Sequence, residues 1–209
     1  MKIAVIAANG QAGQLITKEA VERGHEVVAI VRSENKSAAK NVIQKDLLEL
    51  TKEDLVNFDV VINAFGGWTP ETLKIHSTGV EHLTSLLANT DIRFLVVGGA
   101  GSLFIDEELT TSLADTPDFP ADYLPVATAM RDGLNLLRTK ENVNWTYISP
   151  AADFDAEAPK TGNYTFAGEV FTTNSKGESF ISYADYASAM LDEVEKGNNI
   201  KKRISVLGA

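Results

Sequence analysis

The residues 7–13, Ala-Ala-Asn-Gly-Gln-Ala-Gly, follow a continuous apolar run and open a segment with helical spacing. A helix start presents N–H groups without partners and a partial positive charge, which together suit a pyrophosphate. Gly10 is expected to permit a tight turn there, and Gly13 to let the helix pack closely on the strand before it. Gln11 and Gln14 stand in the first turn and no acid does, so the dipole is left for an external anion. Strand, glycine turn and helix in that order read as a dinucleotide site. The end of the next strand then selects the cofactor. NAD sites place an Asp or Glu about 20 residues on, where it holds the ribose 2′-hydroxyl. Arg32-Ser33 stands there instead, a cation and a hydroxyl suited to a 2′-phosphate. NADPH is therefore the preferred cofactor and NADH the alternative.

The elements that must carry this loop show as an alternation of apolar runs and helix-period segments. Residues 3–8 read as a first strand, and Leu15, Ile16, Ala20 and Val21 recur at helical spacing until Gly24. Further strands are expected at 26–32, 42–45, 60–65, 93–97, 144–149 and 203–207. Helices are expected at 71–89, 122–141 and 182–196, with a brief one behind the capping box Thr51-Lys52-Glu53-Asp54. Continuous Val/Ile/Ala strands alternating with helices are strands buried on both faces, joined by right-handed crossovers. The fold class is α/β: a Rossmann-type, doubly wound, mainly parallel sheet with helices on both faces. It is expected to run as one domain over residues 1–209, with a small irregular C-terminal substrate lobe at 150–180, where Gly, Thr and aromatics break the rhythm.

Composition narrows the partners. The 209 residues include 19 Lys+Arg against 29 Asp+Glu, a net charge of −10, and no Cys. Disulfides, thiolate metal sites and a cysteine nucleophile are excluded. An acidic chain lacks the basic face that phosphate neutralisation demands, so nucleic acid is not an expected partner. The charge is unevenly spread. Residues 1–45 carry seven Lys/Arg and four Asp/Glu, the remainder 12 and 25, and the first acid is Glu19. The end bearing the glycine loop therefore faces an anion. No stretch approaches the ~18–20 apolar residues of a membrane span. Residues 3–8 are at the short limit for a signal-peptide core, so a soluble cytoplasmic protein, monomer or homodimer, is expected.

Six motifs occur in order along the chain: M-K-I-A-V-I-A-A-N-G-Q-A-G, R-G-H-E-V-V-A-I-V-R, V-V-I-N-A-F-G, L-V-V-G-G-A-G-S-L, W-T-Y-I-S-P-A and I-S-Y-A-D-Y-A. Through them the chain resembles the NAD(P)H-binding, atypical short-chain dehydrogenase/reductase group, specifically its NADH-flavin reductase type, which is similar to biliverdin/flavin reductases. The resemblance implies that Asn9, Gly10, Gln11, Ala12 and Gly13 wrap the pyrophosphate and that Arg32 and Ser33 reach the adenosine ribose. It places Asp46 and Leu47 beside adenine, and Ala64, Phe65 and Gly66 along the cofactor's middle. Gly99, Ala100 and Ser102 would stand near the nicotinamide, with Ser149 and Pro150 at its carboxamide end. The family commonly has Gly where this chain has Ala7, which adds a methyl at the turn.

Standard members of the wider group use a Tyr four residues before a Lys, whose charge lowers the phenol's pKa for proton exchange. Tyr123 is the candidate here, but position 127 is Ala and the next lysine is Lys140. Hydride transfer to flavin N5 needs no such relay, because solvent can protonate the product; the protein must hold two rings within reach. The expected function is thus an NAD(P)H-dependent reductase of flavin (FMN or FAD as substrate) or a similar planar conjugated acceptor. Ser102 is a candidate hydrogen-bond donor to acceptor or carboxamide; Trp68, Phe104 and Phe154 are expected to line an apolar acceptor pocket. The alternative is a non-catalytic redox sensor similar to NmrA-like regulators, and a third reading uses Tyr123 without a lysine. His76 falls on the apolar stripe of Val80, Leu83 and Leu87 and reads as a buried, satisfied histidine. His25 and His82 read as surface residues, and three scattered histidines give no metal-ligand spacing.

Overall fold

A computed structural model describes the chain from Met1 to Ala209. Eight strands form one sheet in the order β3-β2-β1-β4-β5-β6-β10-β8. They are β1 (Lys2–Ile6), β2 (Glu26–Val31), β3 (Asn41–Gln44), β4 (Val60–Asn63), β5 (Arg93–Val97), β6 (Asn144–Ser149), β8 (Tyr164–Ala167) and β10 (Lys202–Gly208). All neighbours are parallel except β8, which runs antiparallel to β10. The short strands β7 (Asp153–Asp155) and β9 (Phe180–Ser182) pair separately.

Strand β1 shows why the sheet is covered on both sides. Ile3 and Val5 join a core with α1 (Gln11–Glu22) and α6 (Tyr183–Lys196). Ala4 and Ile6 point the other way, into a core with α2 (Lys52–Leu55), α4 (Ile75–Leu87) and α5 (Leu124–Arg138). Successive side chains of a strand alternate faces, so an unbroken apolar strand needs a layer of helices on each side. This is the Rossmann-type doubly wound arrangement expected from the sequence.

Several boundaries shift. The expected helix at 71–89 is a four-residue α3 (Pro70–Leu73), started by Pro70 behind Thr69, followed by α4. The helix expected from 122 starts at Leu124, because Pro125, without an N–H, belongs in a first turn; Ala121–Tyr123 form a 3-10 turn instead. The 150–180 stretch is more ordered than its composition suggests, since β8 extends the main sheet through β10. Ser182 caps α6 by accepting from the Asp185 N–H at 3.0 Å. Asp185 does not complete a capping box: its buried carboxylate accepts from the Thr161 and Gly162 amides and the Thr161 hydroxyl, fastening the insertion to α6. Burial pushes its pKa up, but these bonds outweigh it and hold the carboxyl below its usual value.

His25 and His82 are tied down rather than free on the surface. His25 Nε2 is 3.0 Å from Glu195, and His82 Nε2 is 2.9 Å from the Leu50 carbonyl. No helix is long and apolar enough to cross a membrane.

Candidate functional site

The chain lays β1, β2 and β3 outward in one direction, then returns to place β4 on the other side of β1. The helices that follow β1 and β4, α1 and α4, lie on opposite faces of the sheet, so this is the topological switch point at which open α/β sheets form a ligand crevice. Residues 7–10 and 64–67 flank this point.

The glycine turn is built differently from its sequence reading. Its left-handed residue is Ala7, at φ 59°, and the Gly10 N–H closes the turn on the Ala7 carbonyl at 2.9 Å. Gly10 has φ −70°, so conformational freedom is not what it supplies. Space is: a Cβ on Gly10 would meet the Ala7 oxygen at 3.3 Å. Gly13 is more demanding, since a Cβ would lie 2.4 Å from the Ala7 oxygen and 2.9 Å from the Ala8 Cα. The N-terminus of α1 has no capping side chain and no acid in its first turn. Its amides and dipole therefore remain available to an anion, and the bare cradle fits a dinucleotide's phosphates.

Asn9 acts as a strut between two loops. Its Nδ2 donates to the Glu34 carbonyl at 2.9 Å, and its Oδ1 accepts from the Lys36 N–H at 2.7 Å. It thus fixes the turn after β2, where Arg32 and Ser33 stand exposed. Arg32 is 71% exposed and 3.9 Å from the Asp46 carboxylate. An exposed pair at that distance contributes at most ~1 kcal/mol, so Arg32 can turn to another anion at small cost. Asp46 accepts from the Leu48 N–H at 3.0 Å, and Leu47 is buried.

On the far side of the switch point, Ala64 is buried, Phe65 half-buried and Gly66 exposed, with nothing within 4 Å of a Cβ built on Gly66. Asn63 Oδ1 accepts from the Phe65 N–H at 3.1 Å. His76, at the start of α4, holds the next peptide: its Nε2 is 3.0 Å from the Gly67 carbonyl and 3.3 Å from the Gly67 nitrogen. After β5, Gly98 lies against the Tyr147 ring, where a Cβ would come within 2.2 Å of it. Gly99 and Ala100 are half-buried, whereas Ser102 is only 6% exposed, with its Oγ at 3.5 Å from the Gly99 carbonyl. Ser149 is fully buried and its Oγ has no hydrogen-bond partner; Pro150 beside it is buried too. The side chains of Leu47 and Ser149 are thus buried, while the loops at 7–13, 32–33, 64–66 and 99–100 keep exposed or half-buried residues at the carboxyl ends of β1, β2, β4 and β5.

The aromatic residues separate into groups. Trp68 and Tyr123 pair edge to face with centroids 5.8 Å apart, and both are exposed, at 63% and 54%. Phe154 stacks on Tyr183 at 3.7 Å and tilts against Tyr186, so one of its faces is already covered. Phe104 lies under the buried Arg203 guanidinium at 5.7 Å. That guanidinium donates to Glu169 and, at 3.0 Å, to the Ser102 carbonyl. Arg203 therefore ties the loop after β5 to the insertion, a role without any sequence signal because its partners are distant in the chain.

Comparison with known proteins decides the family. Residues 7–196 match the model of an NAD(P)H-binding family. The chain belongs to that NAD(P)H-binding family. An uncharacterised protein of Bacillus subtilis is 47% identical over 210 residues, covering 99% of this chain and 98% of its own. A crystal structure from Streptococcus pneumoniae, described as a candidate NADH-flavin reductase, is 64% identical with a TM-score of 0.99, and each chain covers 100% of the other. A candidate epimerase from Bacteroides thetaiotaomicron is 34% identical, with a TM-score of 0.86, over 99% of this chain and 96% of that one. The two solved structures share this fold under the different descriptions of reductase and epimerase, so activity has to be argued from side chains.

Two outcomes follow for the glycine turn. Ala7→Gly should raise unfolding stability by ~1 kcal/mol in denaturant titration, because the strain of a left-handed Ala exceeds the entropy cost of Gly. Asn9→Ala should weaken NADPH several-fold in calorimetric titration and NADH less, because it frees the loop after β2 that carries Arg32 and Ser33.

Proposed function

We propose that this protein is an NADPH-preferring reductase of flavin or a similar planar conjugated acceptor. The observation that carries the reading is the Trp68–Tyr123 pair, two largely exposed aromatic side chains, Trp68 in the same loop as Phe65 and Gly66 and Tyr123 just before α5. Exposed aromatic faces beside a cofactor crevice suit a flat ring system, which gains by stacking and by leaving water. Phe154, covered by Tyr183, and Phe104, covered by Arg203, suit this role less.

A reduced nicotinamide supplies a hydride when bound. The chain's own part is to bind, orient and exclude water. The α1 N-terminus and the turn at 7–13 hold phosphates, and Arg32 with Ser33 offers a cation and a hydroxyl to a 2′-phosphate. Ser102 stands close to the loop bend as a hydrogen-bond donor. Tyr123 is followed at the fourth position by Ala127, which supports an acceptor that takes its proton from solvent. The reading carries with it a free small-molecule acceptor and a cytoplasmic monomer or homodimer. Its rival is a redox sensor that binds the dinucleotide without passing hydride on.

With NADPH and free FMN, absorbance at the nicotinamide band should fall well above the protein-free rate, and Tyr123→Phe should leave that rate unchanged. A protein that binds NADPH and shows no turnover with any flavin would be the sensor instead. Arg32→Ala should raise the Kd for NADPH about tenfold or more, as a charge-assisted phosphate contact implies, while leaving NADH within twofold. Equal losses for the two cofactors would refute the 2′-phosphate assignment.

A further inference from the structure

His76 is a buried titratable group in contact with Gly67, the residue before Trp68, and no chemistry assigned to the site uses it. It is 8% exposed, and its Nε2 reaches the Gly67 peptide from below at 3.0 Å on the carbonyl side. The Phe65 ring meets it edge-on at 5.3 Å. The surroundings leave the imidazole little freedom. A Cβ on Gly133 of α5 would come within 2.6 Å of the His76 carbonyl oxygen, so α5 presses directly on its backbone. Gly67 is equally confined: a Cβ there would meet Thr72 at 2.8 Å and the Phe65 ring at 2.9 Å. A cavity of about 10 Å³ beside the ring is lined by Asn63, Val96, Met130, Gly133 and Tyr147, among others. His76 thus joins a rigid helix pair to the loop carrying Phe65, Gly66 and Trp68.

We propose that His76 is a positioning residue that, through the Gly67 peptide, sets where Phe65, Gly66 and Trp68 stand against the crevice, and so how a planar acceptor can be seated. The proposal rests on the reductase reading of that crevice. One ring nitrogen serves one partner at a time, and the shorter contact makes Nε2–H the donor to the Gly67 carbonyl, leaving Nδ1 unprotonated in the neutral ring. Burial pushes the imidazole pKa down, with the Gly67 bond partly opposing it. The groups facing the ring are the amide of Asn63 from β4, the Gly67 peptide, Met130 and Gly133 from α5, and Tyr147 from β6. Tyr147, the titratable one among them, is pushed up to about 12 by burial and stays neutral. No carboxylate is there to stabilise an imidazolium. The stability contributed by His76 is therefore fully present above its ordinary 6.5 and is lost as pH falls below that value.

The test uses the full chain without cofactor, in wild type, His76→Leu and His76→Gln, with Trp68→Phe identifying the Trp68 emission against the buried Trp145. In His76→Leu, amide exchange at 64–68 should rise about tenfold while α5 and β6 keep their protection, as loss of one anchoring bond implies. His76→Gln, which can still donate to the Gly67 carbonyl, should restore most of the protection. Wild-type Trp68 emission should change as pH falls below 6.5, and the step should vanish in both variants. If His76→Leu does not fold, the pH step of the wild type and its absence in His76→Gln decide the matter. Unchanged exchange at 64–68 and an unchanged pH response of Trp68 would overturn the proposal. In the flavin assay His76→Leu should raise KM for the acceptor several-fold more than it lowers kcat, and His76→Gln should stay near wild type. Absence of turnover in wild type would remove the reductase reading, yet leave the exchange and emission results to judge His76 by themselves.

Discussion

The close approach of α1 to β1 is the constraint on which the rest of the crevice depends. The helix can start where it does because Gly13 has no side chain to strike the Ala7 carbonyl, and because Ala7 accepts a left-handed backbone to turn the chain. A larger residue at Gly13 would push the helix off the strand and redirect the first-turn amides. Those amides are useful only if they point along the crevice, so a packing contact of backbone on backbone determines an electrostatic property. Retaining Ala at position 7 costs some strain, of the order of 1 kcal/mol. The Gly10–Ala7 hydrogen bond and burial of Ala8 outweigh it.

From that fixed turn the site is assembled by struts more than by direct contacts. Asn9 binds the loop after β2, His76 and Asn63 hold the loop after β4, and Arg203 holds the loop after β5. Each strut is a polar group satisfied by backbone of a neighbouring loop, which removes loop freedom without filling the crevice. The chain is acidic overall, yet the first turn of α1 holds no acid, so no carboxylate there opposes a phosphate. The exposed Trp68 and Tyr123 are left without such anchoring on their outer faces, as the proposed acceptor platform requires.

The alternation of apolar strands and helices made the doubly wound sheet legible, because a strand buried on both faces has only one kind of neighbour on each side. Residues 7–13 and Arg32-Ser33 were legible as loops at the carboxyl ends of β1 and β2, because each directly follows its strand. Boundaries near proline were not: the missing N–H of Pro125 decides the start of α5 through local geometry that spacing does not report. The ordering of 150–180 was hidden for a different reason. Its hydrogen bonds are made to β10 and to Asp185, both distant in the chain, and its composition carries no trace of them.

The sequence by itself determined the fold class, the glycine turn between β1 and α1 and the absence of thiol chemistry, all of which depend on residue type and short spacing. Tertiary structure alone decided that Ala7 rather than Gly10 bears the left-handed turn, that Asn9 braces a loop, and that Ser149 and Leu47 are sealed away. It also sorted the aromatics, leaving Trp68 and Tyr123 open while Tyr183 covers Phe154 and Arg203 covers Phe104. The physical reason is common to these cases. Exposure and hydrogen-bond partnership are set by which distant segments the sheet brings together, and a side chain's identity does not specify its neighbours.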